Sequence, residues 1–181
     1  RNQLDHGGDP SGGRHCPSNL MAEQFKISSF IPRLIEPGAK KPYERMFKAT
    51  EMLDRLGFYT GYIGHHSFTK ETPDASAPMV VIGALAARTE NIRFGTGIYL
   101  AALHHPVNVI EQVSQVDQVS GGRITLGVGV GYRDYEYEGY NVDFNTRGRR
   151  LTDMVRYMKH AWANGRHGWD SEFFQIRDNL V

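Results

Sequence analysis

The sequence has little cysteine and almost no net charge, and each shortage excludes a class of protein. Cys16 is the single cysteine, so no disulfide can form within the chain, which fits a reducing cytoplasm. Lys and Arg number 21 against 20 Asp and Glu, a formal net charge of +1. Such a balance produces no field that favours nucleic acid or an anionic membrane. We therefore expect a cytoplasmic protein that binds neither.

Long apolar runs and metal-binding spacings are also missing. The longest apolar runs, residues 78–87 and 124–130, are well short of the about 20 residues that a membrane-spanning helix needs. No spacing of His, Cys, Asp and Glu is typical of a metal site, so we expect no metal. With 40% apolar and 23% charged residues, the composition is that of an ordinary globular domain.

The first twenty residues differ from the rest of the chain. They are rich in Gly, Pro, Ser and Asn, and Met21 follows them directly before the first strand-like run. They contain no apolar segment of the kind found in secretory signals. We predict that residues 1–20 are a disordered or artefactual leader and that residues 21–181 form the folded part.

Short strand-like runs alternate with helical patterns from residue 25 onward. The runs cover residues 25–32, 58–64, 92–100 and 123–131, and helices are predicted over about 43–56, 78–89, 106–119 and 148–163. This alternation is typical of a parallel α/β sheet, either doubly wound or half of a (β/α)8 barrel. Spacing alone does not separate the two. The segment 171–181 is polar and strand-like, with no fifth unit behind it.

Two segments between these elements are expected to be structural. The Tyr- and acid-rich stretch after the fourth strand is predicted to be a loop. Asp117 and Arg123 flank a Ser-Gly-Gly turn, and we expect them to clamp it.

The central segment carries a family pattern. Residues 104–144 read HHPVNVIEQVSQVDQVSGGRITLGVGVGYRDYEYEGYNVDF, and RGRRLTDMV follows from residue 147. This pattern resembles the bacterial luciferase-like monooxygenase superfamily, and the likeness extends from about residue 25 to the C terminus. It implies a (β/α)8 barrel of the parallel TIM type that binds FMN or the deazaflavin F420 at the C-terminal ends of its strands. Because full-length relatives are considerably longer, only about the first four βα units are expected here.

The resemblance also implies an activity and partners. The expected protein is an oxidoreductase or monooxygenase that acts on a small organic substrate, with reduced FMN and O2 or by hydride transfer with F420. A flavin reductase is an implied partner in the FMN case, and helices 78–89 and 106–119 are an implied homodimer interface. Two alternatives stay open: a flavin-binding protein without turnover, and an inactive gene fragment.

The resemblance assigns roles around strands two and three. His65 aligns with the histidine that the family places near the reactive edge of the flavin, and an imidazole can give or take a proton near neutral pH. His65 is therefore the predicted catalytic residue, and its neighbour His66 is the alternative. Thr96, Gly97 and Ile98 match a cofactor-binding bulge with a non-prolyl cis peptide, here between Gly97 and Ile98.

The fourth strand is predicted to contribute backbone to the cofactor site. Gly127, Gly129 and Gly131 leave one face of this strand without side chains, so a planar ring has room there; the alternative is close packing against a neighbouring element. We predict that Gly129, Val130 and Gly131 contact the cofactor. Val130 stands where the luciferase branch has an Arg for the flavin phosphate. Backbone N–H groups and residues of the second barrel half are then expected to hold the phosphate.

Overall fold

Four parallel strands form the centre of the molecule. The structure is a computed structural model that describes residues 26–69, 75–165 and 168–178, so the predicted leader lies outside the described residues. The strands are β1 (Ser28–Phe30), β2 (Thr60–Ile63), β3 (Arg93–Thr96) and β4 (Ile124–Thr125). They pair in the order β1-β2-β3-β4, and each pair is parallel. The predicted parallel α/β sheet is therefore confirmed.

Helices connect the strands, and proline and glycine residues mark where several of these helices begin and end. They are α1 (Glu44–Arg55), α2 (Pro78–Ala86), α3 (Pro106–Ser120), α4 (Asp134–Gly139) and α5 (Arg147–Asn164). Pro78 and Pro106 occupy the first turns of their helices, where the missing N–H group costs nothing. Gly121 ends α3 with a φ of 71°, a left-handed conformation that glycine adopts without strain. No helix in these described ranges is both long and apolar enough to span a membrane.

The third and fourth strands are shorter than predicted because the backbone bulges after Thr96. Pairing resumes beyond the bulge, where the N–H of Tyr99 donates to the carbonyl of Gly127 at 2.7 Å. The N–H of Gly129 then donates to the carbonyl of Tyr99 at 3.0 Å. The two chains therefore stay in contact after the regular strands have ended.

One segment differs from its prediction, and a second segment agrees with its prediction. The Tyr- and acid-rich stretch is not entirely a loop, because it contains the six-residue helix α4. Tyr137 of this helix is buried with Leu100 and Leu103 in a small apolar cluster, which stabilises a helix too short to form alone. The strand-like C-terminal segment contributes β6 (Gln175–Ile176), which pairs with β5 (Trp169–Asp170) as an antiparallel hairpin.

The main core lies between the sheet and the helices that cover it. Its most deeply buried apolar side chains come from α2, β3 and α5 and from the residue before β3; they are Ile82, Leu85, Ile92, Phe94, Met154 and Tyr157. The apolar stripe of α5 thus packs against the core, as its helical periodicity predicts, whereas Met52 of α1 and Val80 of α2 are exposed.

Arg123 closes the amino end of the sheet. Its guanidinium donates to four backbone carbonyls at 2.6 to 2.9 Å, those of Ser120, Ile92, Ala86 and Thr89. Asp117 accepts a hydrogen bond from the N–H of Ile124 at 3.3 Å. The predicted clamp of the Ser-Gly-Gly turn is therefore confirmed, and Arg123 extends it to the preceding βα connection.

Candidate functional site

A cavity of about 180 Å³ lies at the carboxyl ends of β1, β2 and β3, and Tyr43, Met46 of α1 and Val81 of α2 also line it. Phe30 and Tyr62 form an aromatic wall, with ring centroids 5.9 Å apart, and Gly64 and Gly97 contribute backbone. His66 also lines the cavity. Sites for small molecules usually measure about 300–1,000 Å³, so the walls formed by the described residues enclose less volume than such a site.

The bulge of the third strand borders this cavity. The peptide bond between Gly97 and Ile98 is cis, as the resemblance implies. A Cβ atom on Gly97 would lie 3.1 Å from the ring of Phe30, so glycine permits this close approach. Ile98 is 38% exposed and points away from the core. Thr96 is buried, and its hydroxyl donates to the carbonyl of Gly127 at 2.8 Å.

The glycines of the fourth strand make room for this bulge. A Cβ atom on Gly127 would collide with the carbonyl oxygen of Thr96, and one on Gly129 would collide with the side chain of Ile98. A Cβ atom on Gly131 would lie 2.8 Å from Leu100. The space beside these glycines is therefore filled by the third strand and does not stand open for a planar ring. Close strand packing, the alternative interpretation, explains them.

Val130 takes part in the same packing through its backbone. Its carbonyl accepts a hydrogen bond from the hydroxyl of Tyr137 at 2.5 Å, which ties α4 to the fourth strand. Its side chain is half-buried. Contact of Gly129, Val130 and Gly131 with a cofactor stays a prediction.

His65 is 2% exposed and does not line the cavity. Its Nδ1 accepts a hydrogen bond from the N–H of Leu100 at 3.2 Å, and its Nε2 lies 3.5 Å from the hydroxyl of Ser67. Burial, followed by the charges of His104 and His66, lowers the pKa of His65 to about 4. The ring is therefore neutral at pH 7, with both nitrogens directed at protein groups.

A cluster of aromatic rings surrounds His65. The ring of His104 stacks on it at 5.3 Å, and the ring of Tyr99 lies 4.9 Å away. Burial lowers the pKa of His104 to about 4, and its Nε2 is buried without a partner among the described residues. Burial, followed by Tyr140, raises the pKa of Tyr99 to about 12. All three rings are uncharged at neutral pH.

Glu136 contacts His66 and is fully buried. Its Oε1 accepts a hydrogen bond from the N–H of Ser67 at 2.8 Å and lies 3.3 Å from Nδ1 of His66. Its Oε2 is buried without a partner among the described residues. The side chain of His66 is 23% exposed, and its ring meets Tyr132 edge-on at 6.0 Å.

Sequence patterns did not single out Glu136 or the aromatic wall. Glu136 is one of several acidic residues in the stretch predicted to be a loop, and 70 positions separate it from His66. Phe30 and Tyr62 are ordinary strand residues until the sheet brings them together. Within the described part of the chain, no group of three or more His, Cys, Asp or Glu side chains could hold a metal ion.

The chain belongs to the luciferase-like monooxygenase family, whose profile it matches over residues 24–181. Among curated relatives, it is 30% identical over 156 residues to the oxygenase component of the flavin-dependent trigonelline monooxygenase of Acinetobacter baylyi. That match covers 84% of this chain and 43% of the relative. The chain therefore spans less than half the length of this relative.

Two solved structures share the fold. The monooxygenase RslO1 from Streptomyces bottropensis matches 86% of this chain and 48% of its own, with a TM-score of 0.78 and 23% identity. The oxygenating constituent of 3,6-diketocamphane monooxygenase from Pseudomonas putida, a Type II Baeyer-Villiger enzyme in complex with FMN, matches 83% and 43%, with a TM-score of 0.70 and 19% identity. The fold is thus the parallel (β/α)8 TIM-barrel type, with about its first four βα units present.

Proposed function

We propose that this chain is part of a monooxygenase that uses reduced FMN and O2 to oxygenate a small organic substrate. The observation that carries the proposal is the cavity at the carboxyl ends of β1 to β3, which is where barrels of this type carry out their chemistry. The family match and the flavin-dependent relative support the choice of reaction. Hydride transfer with F420 is the alternative chemistry.

The residues at the cavity fit a flat, largely apolar ring. Phe30 and Tyr62 offer aromatic surface, and the backbones of Gly64 and Gly97 allow close approach. Thr96, Gly97 and Ile98 would hold one face of the flavin, and the backbone of residues 129–131 would border it. Bound reduced flavin supplies the two electrons that activate O2.

The proposed reaction consumes one proton. The reduced FMN anion, O2, the substrate and one proton give oxidised FMN, the oxygenated substrate and water. The protein must therefore deliver a proton to the reacting oxygen inside the site, and general acid catalysis of this kind contributes about 10²–10⁴-fold to a rate. His65 is the residue that the family resemblance assigns to this task, and that assignment stays a prediction.

The proposal includes partners. A separate flavin reductase would supply reduced FMN, because the Acinetobacter relative is the oxygenase component of its system. The α2 and α3 helices would form a homodimer interface, and Val80 and Val119 on these helices are 72% and 51% exposed. A cytoplasmic location stays a prediction.

Titration of the full-length protein with FMN and with F420, followed by fluorescence, tests the proposal. We expect saturable FMN binding, and O2 consumption that requires reduced FMN and substrate. Ile98→Ala should weaken FMN binding about tenfold, the equivalent of about 1.4 kcal/mol of lost contact. Met52→Ala, at an exposed position on α1, is the matched control.

Each other outcome has a definite meaning. Binding of F420 without FMN binding would replace the proposal with hydride transfer. Tight FMN binding without O2 consumption would favour a flavin-binding protein without turnover. Binding by residues 21–181 alone would show that the first four units already form a working site.

A further inference from the structure

We infer that His66, and not His65, exchanges the proton with the cavity, and that Glu136 is the positioning residue that fixes its ring. The role of this proton in catalysis rests on the proposed function. The arrangement of the two side chains rests on the contacts of the described residues alone and can be tested separately.

The two neighbouring histidines point in different directions. His66 lines the cavity together with Gly97 of the bulge, and 23% of its side chain is exposed. His65 is 2% exposed and faces the rings of Tyr99 and His104. A substrate or cofactor in the cavity would therefore lie next to His66, whereas His65 does not line the cavity.

The ring nitrogens of His65 already have protein partners. Because its Nδ1 accepts from the N–H of Leu100, the single proton of the neutral ring must be on Nε2. That nitrogen lies 3.5 Å from the hydroxyl of Ser67. Proton exchange through His65 would break at least one of these contacts, so its geometry fits a structural role.

Glu136 fixes which nitrogen of His66 can exchange a proton. A carboxylate only accepts hydrogen bonds, so Nδ1 of a neutral His66 must carry the proton to bond with Oε1 at 3.3 Å. This tautomer leaves Nε2 with its lone pair available. A carboxylate that orients an imidazole in this way is a common arrangement behind catalytic histidines.

The burial of Glu136 is difficult to explain as packing. A fully buried carboxylate is costly unless its oxygens are paired, yet Oε2 has no partner among the described residues. Buried polar atoms without hydrogen-bond partners occur most often at functional sites. Oε1, by contrast, joins the N–H of Ser67 and the ring of His66, so the carboxylate links the loop after β2 to α4.

The proton balance of the proposed reaction is then complete. Nε2 of His66 would take up the one proton that the reaction consumes from bulk solvent, deliver it to the oxygen that is released as water, and return to its starting form. Glu136 keeps its contact with Nδ1 throughout. The same delivery satisfies hydride transfer with F420, because reduction of a substrate by hydride also needs one proton.

The first test is the position of the ring proton in the full-length protein without cofactor. Two-bond ¹H–¹⁵N correlation spectra of histidine-labelled protein distinguish the two tautomers. We expect the proton of His66 on Nδ1 and the proton of His65 on Nε2. A proton of His66 on Nε2 would overturn the inference, and this measurement on the wild-type protein needs no variant.

The second test compares rates after substitution. We expect His66→Gln to lower kcat about 10²–10⁴-fold, the usual contribution of a general acid, with FMN affinity within about threefold of the wild type. Glu136→Gln should lower kcat about 10–100-fold, the loss that follows substitution of the hydrogen-bond partner of a metal-bound histidine. Glu136→Asp should recover part of the loss. Glu138→Gln, at an exposed position on the same helix, is the matched control.

The failures of the two proposals are distinguishable. If His65→Gln lowers kcat by more than His66→Gln while both variants remain folded, the assignment to His65 is correct and this inference is wrong. If the wild-type protein does not bind FMN or consume O2, the proposed function fails. The spectra would still report whether Glu136 sets the tautomer of His66.

Discussion

The buried polar groups at the two ends of the parallel sheet differ in how many hydrogen-bond partners they have. At the amino end, the guanidinium of Arg123 donates to four backbone carbonyls, and the carboxylate of Asp54 accepts from three backbone N–H groups at 2.7 to 3.0 Å. Partial burial raises the pKa of Asp54, but these donors and Arg123 outweigh it and lower that pKa overall. At the carboxyl end, Oε2 of Glu136 and Nε2 of His104 are buried without partners among the described residues.

The difference indicates that the amino end of the sheet contributes to stability and the carboxyl end to the proposed chemistry. Groups with complete hydrogen bonding hold the connections at the amino end, which contains none of the proposed site residues. The carboxyl end instead holds uncharged imidazoles and a carboxylate with only one oxygen paired among the described residues, an arrangement that lowers stability. Barrels of this type divide the two tasks in the same way between their faces.

The largest expected effect is a loss of stability at acid pH that is caused by the buried histidines at the carboxyl end of the sheet. Unfolded histidine titrates near pH 6.5, whereas the pKa values of His65 and His104 in the folded protein are about 4. Between these values the unfolded chain binds more protons, so the free energy of unfolding should fall as the pH falls from about 6.5 to about 4. Each histidine should contribute about 3 kcal/mol to this loss, about 6 kcal/mol in total, because each tenfold difference in proton affinity between the two states corresponds to about 1.4 kcal/mol.

Urea unfolding of the full-length protein between pH 4 and 8 measures this effect. His104→Phe keeps a ring in the stack and removes one titrating group, so it should remove about half of the pH dependence. Equal pH dependence in the variant and the wild type would show that the carboxyl end is not the source.

Removal of the clamp at the amino end should have the next largest effect. Arg123→Met leaves four carbonyls without their donor, and we expect a loss of about 3 kcal/mol in the free energy of unfolding. Arg149→Met is the control, because the ion pair of Arg149 with Glu172 is exposed and should contribute less than about 1 kcal/mol.

Urea unfolding midpoints compare the two variants, and FMN titration of the folded Arg123→Met protein should give an unchanged Kd. A weaker affinity for FMN in that variant would contradict the separation between the two ends.

The smallest effect concerns the glycines that accommodate the bulge. Gly127→Ala places a methyl group against the backbone carbonyl of Thr96, which cannot move away, so we expect a loss of about 1–3 kcal/mol in stability. Gly129→Ala meets the end of the flexible side chain of Ile98 and should cost less than about 1.5 kcal/mol.

The second variant should instead change FMN affinity, because Ile98 must move. Thermal unfolding and FMN titration of both variants separate the two effects. Equal destabilisation by both variants would show that the bulge is rigid at both positions.

Local patterns in the sequence predicted the order of strands and helices, because periodicity and turn residues act over short distances. The family resemblance, and not a local pattern, implied that the bulge would lie at Gly97 and Ile98. Local patterns could not predict which of His65 and His66 faces the cavity, since neighbouring strand residues alternate sides and the register depends on pairing. The contact of Glu136 with His66 joins residues 70 positions apart, which no local pattern encodes.

The order β1-β2-β3-β4 has a consequence for how the chain is made. Each new strand pairs with the strand synthesised immediately before it, so loop closures are short and contact order is low for a parallel sheet. The units can therefore dock one after another as they leave the ribosome. The carboxylate of Glu136 is synthesised 70 residues after the histidine that it contacts, so this contact cannot form until α4 has been made.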